Sequence, residues 1–156
     1  MMTVSHTELV NAPLDVVRAA VLAPQAYTSN TKVGTITVLA KDSAGMLARI
    51  NGNLGPFRSS IVARYDVFDD RIDLTMVSGK LRGFFAQFLF RQTANGVELT
   101  HRESYDFGYG PLNHGLDRAL RNWAHGTVVA EVQSLKTYAE AQLQPPTMGD
   151  VAGLSH

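Results

Sequence analysis

Polar and apolar positions alternate from the start of the chain. Val4, His6, Glu8 and Val10 fall on one side and Ser5, Thr7 and Leu9 on the other, a period of two that predicts an opening strand. A helix is expected next. Asn11 stands at its cap, Pro13 close to its first position and Asp15 in its first turn, where a fixed φ and a negative charge suit exposed N–H groups. Val16, Val17, Ala20 and Val21 give this helix a buried stripe and Pro24 ends it, with a second short helix or turn expected over 25–30.

From 33 to 107 the period stays at two, interrupted only by turn signals, which predicts a meander of strands. Ile36, Val38 and Ala40 share one face, and Met46, Ala48, Ile50 and Leu54 share the next, after a turn at 41–45. Ile61, Ala63, Tyr65 and Val67 oppose a polar side of Arg58, Ser60, Arg64 and Asp66. Ile72, Leu74 and Met76 continue the apolar face, then Phe84, Ala86, Phe88 and Phe90, and Asn95-Gly96 suits the tight turn before the last strand. In that strand Val97, Leu99, His101, Glu103, Tyr105 and Phe107 share one face, and the first two argue that it points inward. The other register would bury Thr100, Arg102, Ser104 and Asp106 at a greater desolvation penalty.

The segment 108–111 (GYGP) breaks the sheet, and a long helix is expected over 112–142. At about 100° per residue, Leu112, Leu116, Ala119, Leu120 and Trp123 share one stripe. Val128, Val132, Leu135 and Ala139 share another, roughly a third of a turn away. The change falls at Gly126, where a bend or a close backbone approach is expected, so the two halves should bury against different surfaces. Residues 1–142 read as a single domain and 143–156, with Pro145, Pro146 and small polar residues, as a flexible tail.

Composition narrows the function classes. Of the 156 residues, 45% are apolar and 18% charged, an ordinary globular balance. Lysine plus arginine equals aspartate plus glutamate at 14 each, which leaves no excess positive charge for nucleic acid. There is no cysteine, so disulfides, thiolate metal sites and cysteine nucleophiles are excluded. The first ten residues lack the pattern of a signal peptide and no run approaches the ~20 apolar residues of a membrane span; stable membrane insertion is not expected, and a cytoplasmic location is.

The order strand, short helices, six further strands and long closing helix resembles the START-like superfamily, also called SRPBCC. The segments 10–17 (VNAPLDVV) and 108–111 agree with it, and the agreement covers nearly the whole chain. The resemblance implies a helix-grip fold of the α+β class: a curved seven-stranded antiparallel sheet wrapped around the C-terminal helix. It also implies a cavity between the two for lipids, polyketides or similar apolar molecules. The segment 51–57 (NGNLGPF) is similar to the bacterial polyketide cyclase and lipid-transport branch and to its relative, a small accessory subunit of carbon monoxide dehydrogenase. The expected role is binding or transfer of a small hydrophobic molecule, which needs no cofactor. The alternatives are a cyclase or aromatase, and an accessory protein of a multisubunit redox enzyme.

Tyr65, Met76, Phe88, His101, Glu103, Tyr105, Leu116, Leu120 and Trp123 are the expected ligand-binding residues. Glu103, His101 and Tyr105 are the candidates for catalysis. Alternate residues of a strand lie roughly 7 Å apart, which places His101 and Glu103 too far apart to bond directly but near enough to address one ligand. A glutamate facing an apolar cavity should have a raised pKa, as a general acid requires. The five histidines, His6, His101, His114, His125 and His156, show no metal-ligand spacing, and no metal is expected. The glycines of 108–115 do not fit a dinucleotide fingerprint, the aspartates 66–73 read as a solvated turn, and no Gly-x-Ser-x-Gly hydrolase turn occurs.

Overall fold

The computed structural model describes residues 1–27, 34–54, 57–79, 83–106 and 114–144; for 54, 57 and 114–117 it describes the backbone alone. The opening strand β1 (Met2–Val10) leads into helix α1 (Leu14–Val21) and a 3-10 turn (Pro24–Tyr27). Six strands follow, β2 (Thr35–Lys41), β3 (Gly45–Leu54), β4 (Phe57–Val67), β5 (Arg71–Ser78), β6 (Phe85–Thr93) and β7 (Gly96–Tyr105), before helix α2 (His114–Ala141). The strands form one open antiparallel sheet in the order β1-β7-β6-β5-β4-β3-β2, so the last strand sits beside the first and β2 is the far edge. This is the helix-grip architecture.

Two local expectations change. The cap of α1 is Pro13, with extended backbone and no side-chain hydrogen bond, while Asn11 stays outside the helix and donates its N–H to Glu140 Oε1 at 3.0 Å. At the β6–β7 turn the left-handed backbone belongs to Gly96 alone, at φ +135°; a Cβ there would lie 2.2 Å from the Val10 carbonyl oxygen, so this turn seats the hairpin against the end of β1. Asn95, like every described non-glycine residue, keeps a negative φ.

The two halves of α2 pack differently, as their stripes suggested. Ala124 and Val128 join Met2, Val4 and Tyr105, whereas Val132, Leu135 and Ala139 join Val10, Val17, Val21, Val97 and Leu99 under α1. The helix runs through Gly126 without interruption, so the division comes after Val128, and Ala119 is exposed rather than part of the stripe. Fully burying a valine or leucine stabilises the fold by about 1.5–3 kcal/mol, and this second cluster fills its end of the interior with such residues. Of the tail expected over 143–156, residues 145–156 lie outside the described residues, as does Phe107. No described helix is long and apolar enough to cross a membrane.

Candidate functional site

The inward face of β7 changes character halfway along. Val97 and Leu99 meet the apolar cluster, and the next three inward residues are His101, Glu103 and Tyr105, at 1%, 6% and 4% exposure. The register therefore places His101 and Glu103 inside and Arg102 outside, since buried and accessible positions alternate along the strand. Pairing with β6 sets Phe88 across from His101 and Ala86 across from Glu103. The Phe88 ring stacks on the imidazole, 4.0 Å between centroids and 6° from parallel, which fixes its plane.

The imidazole is held at both nitrogens. Nδ1 lies 3.1 Å from the Gln87 carbonyl oxygen, which can only accept, so Nδ1 carries a hydrogen and Nε2 is the atom turned towards the acids. Nε2 is 3.1 Å from Glu103 Oε1 and 2.6 Å from Glu131 Oε2. Tyr105 donates its hydroxyl hydrogen to Glu103 Oε2. The contact expected to be too long between His101 and Glu103 is thus a direct one: the 7 Å spacing applies to the backbone, and both side chains lean along the strand to close it.

Glu131 comes from α2 and was missed. It is 9% exposed on a stripe otherwise made by Val128, Val132 and Leu135, three residues after the first and four before the last. An acid at helical spacing within an apolar stripe was the available signal. Its Oε2 approaches Nε2 closely without alignment and receives no hydrogen bond, although it is buried.

Burial and charge set the protonation of this cluster. For His101, burial by itself favours the neutral ring, but the Glu131 charge, followed by the hydrogen bond to Glu103 and the close contact with Glu131, outweighs it and raises the pKa from 6.5 to about 10. Burial raises the Glu131 carboxyl above its ordinary value, with His101 opposing and the Glu103 charge reinforcing that shift. Burial also pushes up the hydroxyls of Tyr27, Tyr65 and Tyr105. A pair of acids and an imidazole that share protons at one point can give or take a proton from a bound molecule.

The cluster lines a cavity of about 100 Å³ between the sheet and α2. Tyr65, Leu74, Phe84, Phe88 and Trp123 supply apolar wall, Ile36 and Ile50 extend it towards β2, and Thr127 and Glu131 face in from α2. Of the residues expected from sequence, Tyr65, Phe88, His101, Glu103, Tyr105 and Trp123 meet on this wall. Met76 does not line it. It pairs with Ala63 in the same register that sets Leu74 opposite Tyr65, but it lies further along β5, half-buried beside Gly79. Leu120 packs instead against the cluster of Met2, Val4 and Tyr105, and the Leu116 side chain lies outside the described residues. Arg91 pairs with Glu98 on the exposed side and Arg102 is exposed, so neither belongs to the cavity; Arg82 lies outside the described residues.

No family model and no curated protein matches the sequence. Solved structures do. TTHA0849 from Thermus thermophilus superposes with a TM-score of 0.79 at 16% identity, over 92% of this chain and 100% of that one. The Zhui aromatase/cyclase from a Streptomyces species gives 0.72 at 16% identity, over 92% and 96% of the two chains. A START superfamily protein from Mycobacterium smegmatis gives 0.72 at 15% identity, over 90% and 98%. At these identities the likeness establishes a shared START-like helix-grip fold.

Proposed function

We propose that the protein binds a small, mainly apolar molecule bearing one oxygen function, with its apolar body against Tyr65, Leu74, Phe88 and Trp123 and its oxygen towards His101, Glu103, Tyr105 and Glu131. The observation that carries this reading is a largely apolar cavity on whose wall His101, Glu103, Tyr105 and Glu131 converge. Size bounds the guest. At about 100 Å³ the cavity is smaller than the ~150 Å³ void that takes up benzene, so a guest of more than a few heavy atoms has to displace lining side chains. NMR titration of labelled protein with indole, 2-naphthol and octanoate tests the proposal. Saturable shifts centred on Leu74, Phe88 and Trp123, weakened in the cavity-filling variant Ser59→Phe, are expected; absence of shifts with all three probes contradicts it.

A second reading is favoured by the cluster itself: a cyclase- or aromatase-type enzyme that moves protons on a carbonyl-bearing guest, the class named for the Streptomyces neighbour. Glu103 and Glu131 would exchange protons with the guest through or beside His101, while the apolar wall excludes water. Under this reading Glu103→Gln removes turnover of an aromatic polyketide mimic and leaves its binding nearly intact. Loss of neither, or of both together, would remove Glu103 from the catalytic role.

A further inference from the structure

Two carboxylates and one imidazole converge inside the fold with no second basic group among the described lining residues. Even with the imidazole charged and both acids ionised, the cluster carries a net negative charge in apolar surroundings, an arrangement that a protein interior tolerates poorly. The oxygen most affected is Glu131 Oε2, which is buried 2.6 Å from Nε2 without an aligned hydrogen-bond donor. Something else fits this place.

We propose that His101 Nε2 and one oxygen each of Glu103 and Glu131 form a binding site for a single divalent first-row transition-metal ion. Their donor atoms come from β7 and α2 and lie within 4.8 Å of one another. In a coordination sphere with bonds of about 2.0–2.2 Å, neighbouring donors are about 3 Å apart. Nε2 and Glu103 Oε1 already are, at 3.1 Å, and the 2.6 Å approach of Glu131 has to open by a few tenths of an ångström. The surrounding groups are arranged as outer-shell partners of metal ligands are: Nδ1–H donates to the Gln87 carbonyl, leaving the Nε2 lone pair free in the neutral ring, and the Tyr105 hydroxyl donates to the Glu103 oxygen that the imidazole does not use. A dication with two carboxylates and a neutral imidazole is electrically balanced.

The donor set also selects among ions. One nitrogen and two carboxylate oxygens, with no sulfur, suit manganese, ferrous iron, cobalt or zinc better than copper(I), and the imidazole disfavours calcium and magnesium. Histidine spacing along the chain gave no hint of such a site, because spacing rules search a single element and this set spans a strand and a helix. The inference stands apart from the identity of the guest: all three donors are protein side chains, and metal binding can be read with the cavity otherwise empty.

The test uses full-length protein stripped with a chelator and then titrated with Mn²⁺ and Zn²⁺. Calorimetry should give one equivalent of Zn²⁺, and Mn²⁺ should broaden the amide signals of His101, Glu103 and Glu131 before any others, a localisation that needs no variant. Glu131→Gln and Glu103→Gln should each weaken Zn²⁺ binding at least about 10–100-fold, the loss seen when even outer-shell partners are removed. No binding by the unaltered protein would overturn the proposal. So would broadening centred on surface residues, unchanged affinity in both variants, or thermal protection by an alkylammonium ion such as benzylammonium but by neither metal.

Discussion

One strand and one helix each pass through both halves of the interior, and the halves are built on opposite terms. At one end Val97 and Leu99 of β7 meet Val132, Leu135 and Ala139 of α2, and every one of these is at most 2% exposed. At the other end the same faces present His101, Glu103 and Tyr105 against Glu131, Thr127 and Trp123, and a cavity opens between them. The contrast shows a division of labour: the packed end holds helix to sheet, and its burial free energy lets the other end keep charges and empty space that cost stability.

The largest expected effect comes from unbalancing the charged end. Replacing His101 by Leu in metal-free protein leaves two buried carboxylates without their cation and should destabilise the fold by about 3–5 kcal/mol, read from the urea midpoint. A loss under about 1 kcal/mol would mean that the acids are neutral or solvated. Leu135→Ala, in the packed end, should cost about 3 kcal/mol through cavity formation and leave binding of 2-naphthol unchanged. A change in guest affinity as large as that in stability would erase the distinction between the halves.

Glu131→Gln sharpens the comparison by its smallness. It removes the acid that receives no hydrogen bond and relieves repulsion with Glu103, so metal-free protein should be unchanged or stabilised by about 1 kcal/mol. Clear destabilisation would show the carboxylate to be structural. The pH dependence follows from the same cluster. His101, raised to about 10 in the folded protein, binds its proton more tightly there than when unfolded, and Glu131 is shifted in the same sense. The stability from His101 is thus fully present below about pH 6.5 and is lost as pH rises through about 10. Urea midpoints of metal-free protein should fall across that window, less steeply in Glu131→Gln; a rise would reverse the assigned protonation.

The packed end was the more legible in sequence, because period-two and helical patterns report burial directly. Val97, Leu99, Val132, Leu135 and Ala139 all read as buried from spacing alone, and Val128, read on the same stripe, packs at the other end. The inward register of His101, Glu103 and Tyr105 was legible for the same reason, being carried by the two apolar residues before them. Their mutual contact was not, since side-chain lean changes a 7 Å backbone spacing into a bonding distance. Glu131 stayed hidden because an apolar stripe is read by its apolar members, and an acid among them is passed over until a partner is found on another element. Met76 alternates with Leu74 as the pattern of two requires, but how far along β5 the cavity extends is set by the packing of β5 against its neighbours, which no local pattern announces.

The division itself is tested most directly by a crystal structure determined under xenon pressure. Xenon enters apolar space that is open and is excluded from space already filled. The account predicts one ordered xenon atom bounded by Tyr65, Leu74, Phe88 and Trp123, and none among Val97, Leu99, Val132 and Leu135. Side chains packed across the first region with no xenon between them would contradict it.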